Sequence, residues 1–237
     1  MFAPVRRIGG GGVVTRTKAI VSAYLGVLFF AAFVFLGAWR IIYWQGLLYI
    51  GLALTGVTLN QVLTRNNPDI AVERAKGAGA GVARDKRILA AYFLTSAVAF
   101  VTAGLDSGRF RWSGKVPVGV TVAGVVLMLL GQTIFALAKR ENEFFSSTVR
   151  LQPERGHRVR DTGLYRFVRH PGYLGMLLTL LAFPMVIGSY WAFIPVGFGL
   201  VLLVVRTLLE ERLLLNALPG YADYAAKTRW RLLPMIF

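Results

Sequence analysis

Long apolar runs alternate with short polar segments along the whole chain, and the runs recur at a length that means something. About 18–20 consecutive apolar residues in a helix cross a hydrocarbon core roughly 30 Å thick. Runs of that kind fall at 19–38, 42–63, 88–104 and 116–138. A fifth apolar stretch, 173–209, is too long for one crossing and is interrupted by "FPMVIGSYWAFIP". It predicts a hairpin of two helices turning near Gly188–Ser189, with a short first arm. The pattern therefore predicts an all-α, polytopic membrane protein of about six transmembrane segments. Its organisation reads as a lead-in over 1–18, four spans over 19–138 with a loop at 64–87, and a polar-rich region over 139–237 that holds the hairpin and a tail.

Charge sets the expected orientation. The polar segments that precede the first span, separate spans two and three, separate span four from the hairpin, and follow the hairpin hold four, six, eight and four Lys or Arg. The opposite side holds Arg40, Arg109, Arg111 and Lys115. Basic loops stay in the cytoplasm, so both termini are expected there, in a cell inner membrane. The opening "MFAPVRRIGGGGVVTRTKAI" lacks the short apolar core of a signal peptide. Its glycines read as a lead-in, since no strand precedes them and no GK[ST] follows.

Composition narrows the chemistry. The chain is 56% hydrophobic with mean hydropathy +0.58, and its net charge of +16 is spread over loops between spans. That distribution suits anionic headgroups rather than nucleic acid, for which no recognition module is present. There is no cysteine, which removes disulfides and thiolate metal sites, and two histidines are too few for a His-rich metal centre.

Four polar clusters lie on the expected cytoplasmic side. "RNNPDIAVERAKG" reads as a capped surface helix. "RENEFFSSTVRLQPERGHRV" places Asn142, Ser146, Arg150, Gln152 and His157 in a short distance, as a solvated loop also would. "GLYRFVRHPGYLG" carries Arg166, Arg169 and His170 to the edge of the hairpin. Pro171 turns His170 away from helical geometry, and the glycines allow close approach of a ligand. Snorkelling arginines with an interfacial tyrosine belt would look similar. Finally, "VVRTLLEERLLLNALPGYADY" sets Arg206 and Glu210 one turn apart, with Glu211 beside them. The spacing permits an intrahelical pair, yet a second carboxylate remains. Ionisable groups at membrane depth usually face a cavity or a partner.

On the ordered set "GHRVRDTGLYRFVRHPGY", an apolar hairpin, "EER", "PGYADY" and "RWRLLP", the chain resembles the isoprenylcysteine carboxyl methyltransferase and phospholipid methyltransferase group of integral membrane enzymes. "NPDIAVERAKG" and "GLDSGRFRW" also look like segments of bacterial members. The resemblance implies S-adenosylmethionine as methyl donor and a lipid or lipidated acceptor. It implies cofactor contacts from Gln152, His157, Val159, Gly163 and Tyr165, from His170, Pro171, Gly172 and Tyr173, and from Glu211. Arg206 would orient the acceptor, with Glu210 beside it; if the acceptor is an amine, Glu210 or His170 would be the base. Two rivals stand against this: a membrane reductase using a nicotinamide cofactor, which shares "RHP-x-Y" but continues as Asn-Tyr-Phe-Gly-Glu where this chain reads Gly172-Tyr173-Leu174-Gly175-Met176, and a non-catalytic protein of the same fold.

Overall fold

The computed structural model describes residues 16–66 and 83–236. The lead-in before Arg16 and the Asn67–Gly79 cluster lie outside the described residues. Within them the chain is helical: α1 (Arg16–Ala38), α2 (Trp44–Leu63), α3 (Ala83–Ala103), α4 (Val118–Glu141), α5 (Pro171–Ile187), α6 (Phe193–Ala217) and a short α7 (Tyr221–Lys227). α3 runs on into a π-helical turn, Gly104–Phe110. Five helices are long and apolar enough to cross a membrane, and α5 is shorter. At 1.5 Å per residue, its 17 residues reach about 25 Å, short of a full hydrocarbon core. The expected short arm is there, and the hairpin turns at Gly188, which holds the left-handed φ of 74° that caps α5.

Two boundaries differ from the expectation. α3 begins at Ala83, five residues before the predicted span, so Arg84, Asp85, Lys86 and Arg87 are helical. α6 extends to Ala217 rather than ending near 209, which places Glu210 and Glu211 well inside it. In both cases the apolar run measures the lipid-facing part of the helix, and the helix itself goes on into polar surroundings.

Small residues let the helices approach closely. A Cβ on Gly131 of α4 would sit 2.7 Å from the Gly175 carbonyl of α5, and one on Gly175 would sit 2.5 Å from the Gly131 carbonyl. Lipid gives apolar side chains no reason to leave it, so packing at this range is what holds spans together. Aromatic rings fill the centre, where Phe100 and Phe183 stack with centroids 4.3 Å apart. Outside, Leu25, Phe29, Leu94, Val126 and Val201 are exposed, as a lipid-facing surface requires.

The two ends of the bundle differ. At one end a fully buried Asp106 accepts hydrogen bonds from the Ser113 backbone (2.7 Å), the Ser113 hydroxyl (2.5 Å) and the Ser189 hydroxyl (2.6 Å). This knot ties the π-turn to the hairpin, amid exposed Trp39, Trp44, Trp112 and Trp191. The other end carries the start of α3, the end of α4, the irregular 142–170 segment, the start of α5 and the polar half of α6.

Candidate functional site

Pro171 is the first residue of α5, where its missing N–H costs nothing, and His170 just before it has φ −126° and ψ 62°. The chain therefore arrives extended. The Arg169 and His170 backbone N–H groups donate to the carbonyls of Trp230 and Arg231, both at 2.9 Å, so the tail is laid along this strand-like approach. The same turn aims His170 at α6, where its Nε2 lies 2.7 Å from Glu211 Oε2.

Glu211 is the centre of a buried clamp. Besides His170, it accepts from the Tyr221 hydroxyl at 2.9 Å. Arg169 Nη2 stands 2.8 Å from its other oxygen, an ion pair without hydrogen-bond alignment. Arg169 in turn donates to the Ala225 and Thr228 carbonyls (3.0 and 3.1 Å). One carboxylate thus fastens α6, the His-Pro turn, α7 and the tail, and it is only 2% exposed.

One residue earlier, Glu210 faces a different way. Its Oε2 accepts from the Tyr173 hydroxyl at 2.6 Å, and among the described residues it has no ion-pair partner. A turn before it, Arg206 forms no ion pair with Glu210 and is held by other groups. Its Nε donates to Asp85 Oδ1 at 2.8 Å and its Nη2 to the Ser147 carbonyl at 2.5 Å, while its guanidinium lies 5.7 Å from the Tyr173 ring centre. The intrahelical pair that the spacing permits is not formed.

Between α6, α5 and the 142–160 segment lies a polar cavity of about 120 Å³, walled by Arg206, Glu210, Tyr173, His157 and Tyr165 among others. Its arginines are answered by carboxylates: Arg150 by Glu154, Arg158 and Arg160 by Glu143, Arg169 by Glu211, Arg206 by Asp85. Among the described residues that line the cavity, Glu210 is the carboxylate without an ion pair. His157 packs its ring 4.6 Å from that of Phe144, and its Nδ1 accepts from the Gln152 backbone N–H at 3.3 Å. Burial pushes its pKa below the usual histidine value, against an opposing pull from Glu210. It is therefore a neutral imidazole with its proton on Nε2. Burial likewise raises the phenols of Tyr165, Tyr221 and Tyr224, which stay neutral donors.

A second cavity, about 480 Å³, lies deeper among the spans and is lined by Phe30, Tyr49, Met128, Leu180 and Phe183 among others. Phe135 and Met176 belong to the walls of both cavities. The polar pocket and the apolar chamber stand back to back.

The residues singled out from the sequence divide accordingly. Arg206, Glu210, His157, Val159, Tyr165, His170, Gly172 and Tyr173 line the polar cavity. Gln152, Gly163, Pro171 and Glu211 do not. Gln152 is fully buried behind the wall, its amide nitrogen donating to the Phe144 carbonyl at 2.6 Å and its oxygen accepting from Arg155 at 2.6 Å. Gly163, at φ 55°, sits against Glu141. Pro171 is packed inside the turn and Glu211 inside the clamp. Asp85 was missed: in "GVARDKRIL" it looks like any charge heading a span, and its partner is 121 positions away.

This is a helical membrane bundle with a polar pocket at one end and an apolar chamber behind it. Residues 122–216 match the isoprenylcysteine carboxyl methyltransferase (ICMT) family, so the chain resembles that family from α4 through α6. Two curated relatives, each called a probable protein-S-isoprenylcysteine O-methyltransferase, come from Oryza sativa subsp. indica and subsp. japonica. Each is 35% identical over 60 residues, which is 25% of this chain and 31% of the relative. The chain thus spans less than a third of the length of the relatives it matches.

Proposed function

We propose that the chain is an integral membrane methyltransferase that uses S-adenosylmethionine and acts on a lipid-like acceptor, with carboxyl O-methylation of an isoprenylcysteine-like group as the favoured reaction. The observation that carries this is the back-to-back pair of cavities, a polar one holding a carboxylate with no ion-pair partner among the described residues and an apolar one within the spans. The family resemblance and the relatives' names support the same reading. The polar end would face the cytoplasm, in keeping with the charge distribution.

The donor set suits the cofactor. Glu210 offers an anion to a cationic ligand, His157 Nε2–H and backbone groups offer donors to a carboxylate, and the Phe144–His157 pair offers a flat surface. Gln152, Gly163, Pro171 and Glu211 act from behind the wall by holding its shape. Cavities that hold drug-sized ligands run to about 300–1000 Å³, so the 120 Å³ pocket would have to widen to take the whole cofactor.

When bound, S-adenosylmethionine supplies an electrophilic methyl group on a sulfonium. Arg206 orients the acceptor carboxylate, already a nucleophile at neutral pH, so no general base is needed. Transfer to that carboxylate would exchange the C–S bond for a C–O bond, leaving a methyl ester and S-adenosylhomocysteine, with no proton for the chain to move. The chain's work is positioning and exclusion of water. That suits a site without a cysteine or a Ser-His-Asp set.

The test is transfer of labelled methyl from S-adenosylmethionine to N-acetyl-S-farnesylcysteine in proteoliposomes, with phosphatidylethanolamine as a parallel acceptor. Alkali-labile label on the cysteine derivative is the expected result. Label on the amine would move the acceptor to phospholipid. NADPH oxidation with no methyl transfer to either acceptor would overturn the proposal in favour of the reductase.

A further inference from the structure

We infer that Asp85, at the head of α3 and outside the stretch that resembles the methyltransferase family, is a positioning residue that keeps Arg206 and Glu210 from neutralising each other. Residues four apart on a helix are within pairing reach, and the attraction between opposite charges grows in a low-dielectric interior. Left alone on α6, the buried Arg206 and the half-buried Glu210 would close on one another at that spacing. Each would then be lost to a ligand.

Three features of the structure prevent it. Asp85 is 2% exposed and meets the guanidinium on its fork, with Nε to Oδ1 at 2.8 Å and Nη2 to Oδ2 at 3.4 Å. Planar two-point contact of this kind outcompetes a single-point contact made along a helix. Asp85 is itself anchored, because its Oδ2 also accepts the Val149 backbone N–H at 2.9 Å and it stands in the first turn of α3, where the helix dipole favours an anion. Tyr173 completes the separation by giving its hydroxyl to Glu210 and its ring face to Arg206. The order along α6 helps too, since a cation N-terminal to the anion is the weaker arrangement for a pair four apart.

The consequence is a division of labour. With Nε and Nη2 engaged, Nη1 of Arg206 is the donor left for an anionic group in the cavity, and Glu210 is left for a cation. The roles given to those ligands rest on the methyltransferase reading. The separation of the two side chains does not. The Val149 bond also ties the segment behind Ser147 and Thr148, which line the cavity, to the N-terminal half of the molecule, so α3 helps to build a site whose lining comes from residues 135–224.

The test is a pair of double-mutant cycles. Arg206→Gln, Glu210→Gln and the double variant are made in the wild-type and Asp85→Asn backgrounds, and thermal midpoints are read in detergent micelles. Asparagine keeps the size of the side chain and an acceptor for Val149. In wild type the two effects on the midpoint are coupled only weakly, through Tyr173, which touches both side chains. In the Asp85→Asn background they are coupled by roughly 2–4 °C, because Arg206 has turned to Glu210. Equal coupling in both backgrounds would overturn the inference. Should Asp85→Asn fail to fold, the wild-type cycle decides alone: a coupling well below 2 °C supports the inference and one of roughly 2–4 °C or more overturns it. S-adenosylhomocysteine binding by the same wild-type protein is measured alongside. Its absence would count against the methyltransferase reading and leave the coupling result standing.

Discussion

At the scale of single residues, the site separates groups that line the cavity from groups that hold them. Glu210 and Glu211 are neighbours in the sequence with opposite duties. Glu211 is consumed by Arg169, His170 and Tyr221, whereas Glu210 keeps an oxygen for the cavity. His157 gives a pH dependence with a definite sign. Burial lowers its pKa in the folded protein, so its contribution to stability is fully present above the unfolded value of about 6.5 and is lost as pH falls through the lower folded value. Protonation would also place a donor on Nδ1 against the Gln152 N–H that now gives to it. The thermal midpoint should therefore fall on acidification from pH 7 to 5, and His157→Gln should flatten that part of the profile. A slope unchanged in the variant would show that other groups control it.

At the scale of helices, the α4–α5 contact is the one that positions the His-Pro turn. Gly131→Ala or Gly175→Ala forces a methyl group against backbone at under 3 Å, which should destabilise by about 1–3 kcal/mol. Gly119→Ala, with open space around it, should change stability by less than about 0.5 kcal/mol. Thermal unfolding of the three variants checks this. The same scale shows what could be read from sequence. Spans and the hairpin turn were legible because crossing a membrane needs only length and apolarity, and Gly188 marks the turn. The true start of α3 and end of α6 were not, because charged residues continue a helix without extending an apolar run. Arg206 and Glu210 were legible as site candidates through their depth. Their partners were not, since local spacing favoured pairing with each other and the contact that prevails comes from Asp85. Gln152, Gly163, Pro171 and Glu211 could be picked out as a group, but only three-dimensional packing places them behind the wall.

At the scale of the whole molecule, the two ends are built for different tasks. One is closed by the Asp106 knot and a belt of tryptophans, and the other holds the polar cavity. In the proposed orientation, with the basic loops inside, the cavity end faces the cytoplasm. A single cysteine in this cysteine-free chain tests it: Lys115→Cys should react with an impermeant maleimide in intact cells, and Arg166→Cys only after permeabilisation. The reverse labelling would contradict the orientation.

The central claim is that the cavity beside Glu210 takes a sulfonium cofactor. Calorimetric titration of detergent-purified protein with S-adenosylmethionine, with NADPH as comparison, tests it most directly. The account predicts saturable binding of S-adenosylmethionine, weakened at least tenfold (about 1.4 kcal/mol) in Glu210→Gln, and no binding of NADPH. Binding of NADPH alone, or of neither ligand by well-folded protein, would contradict it.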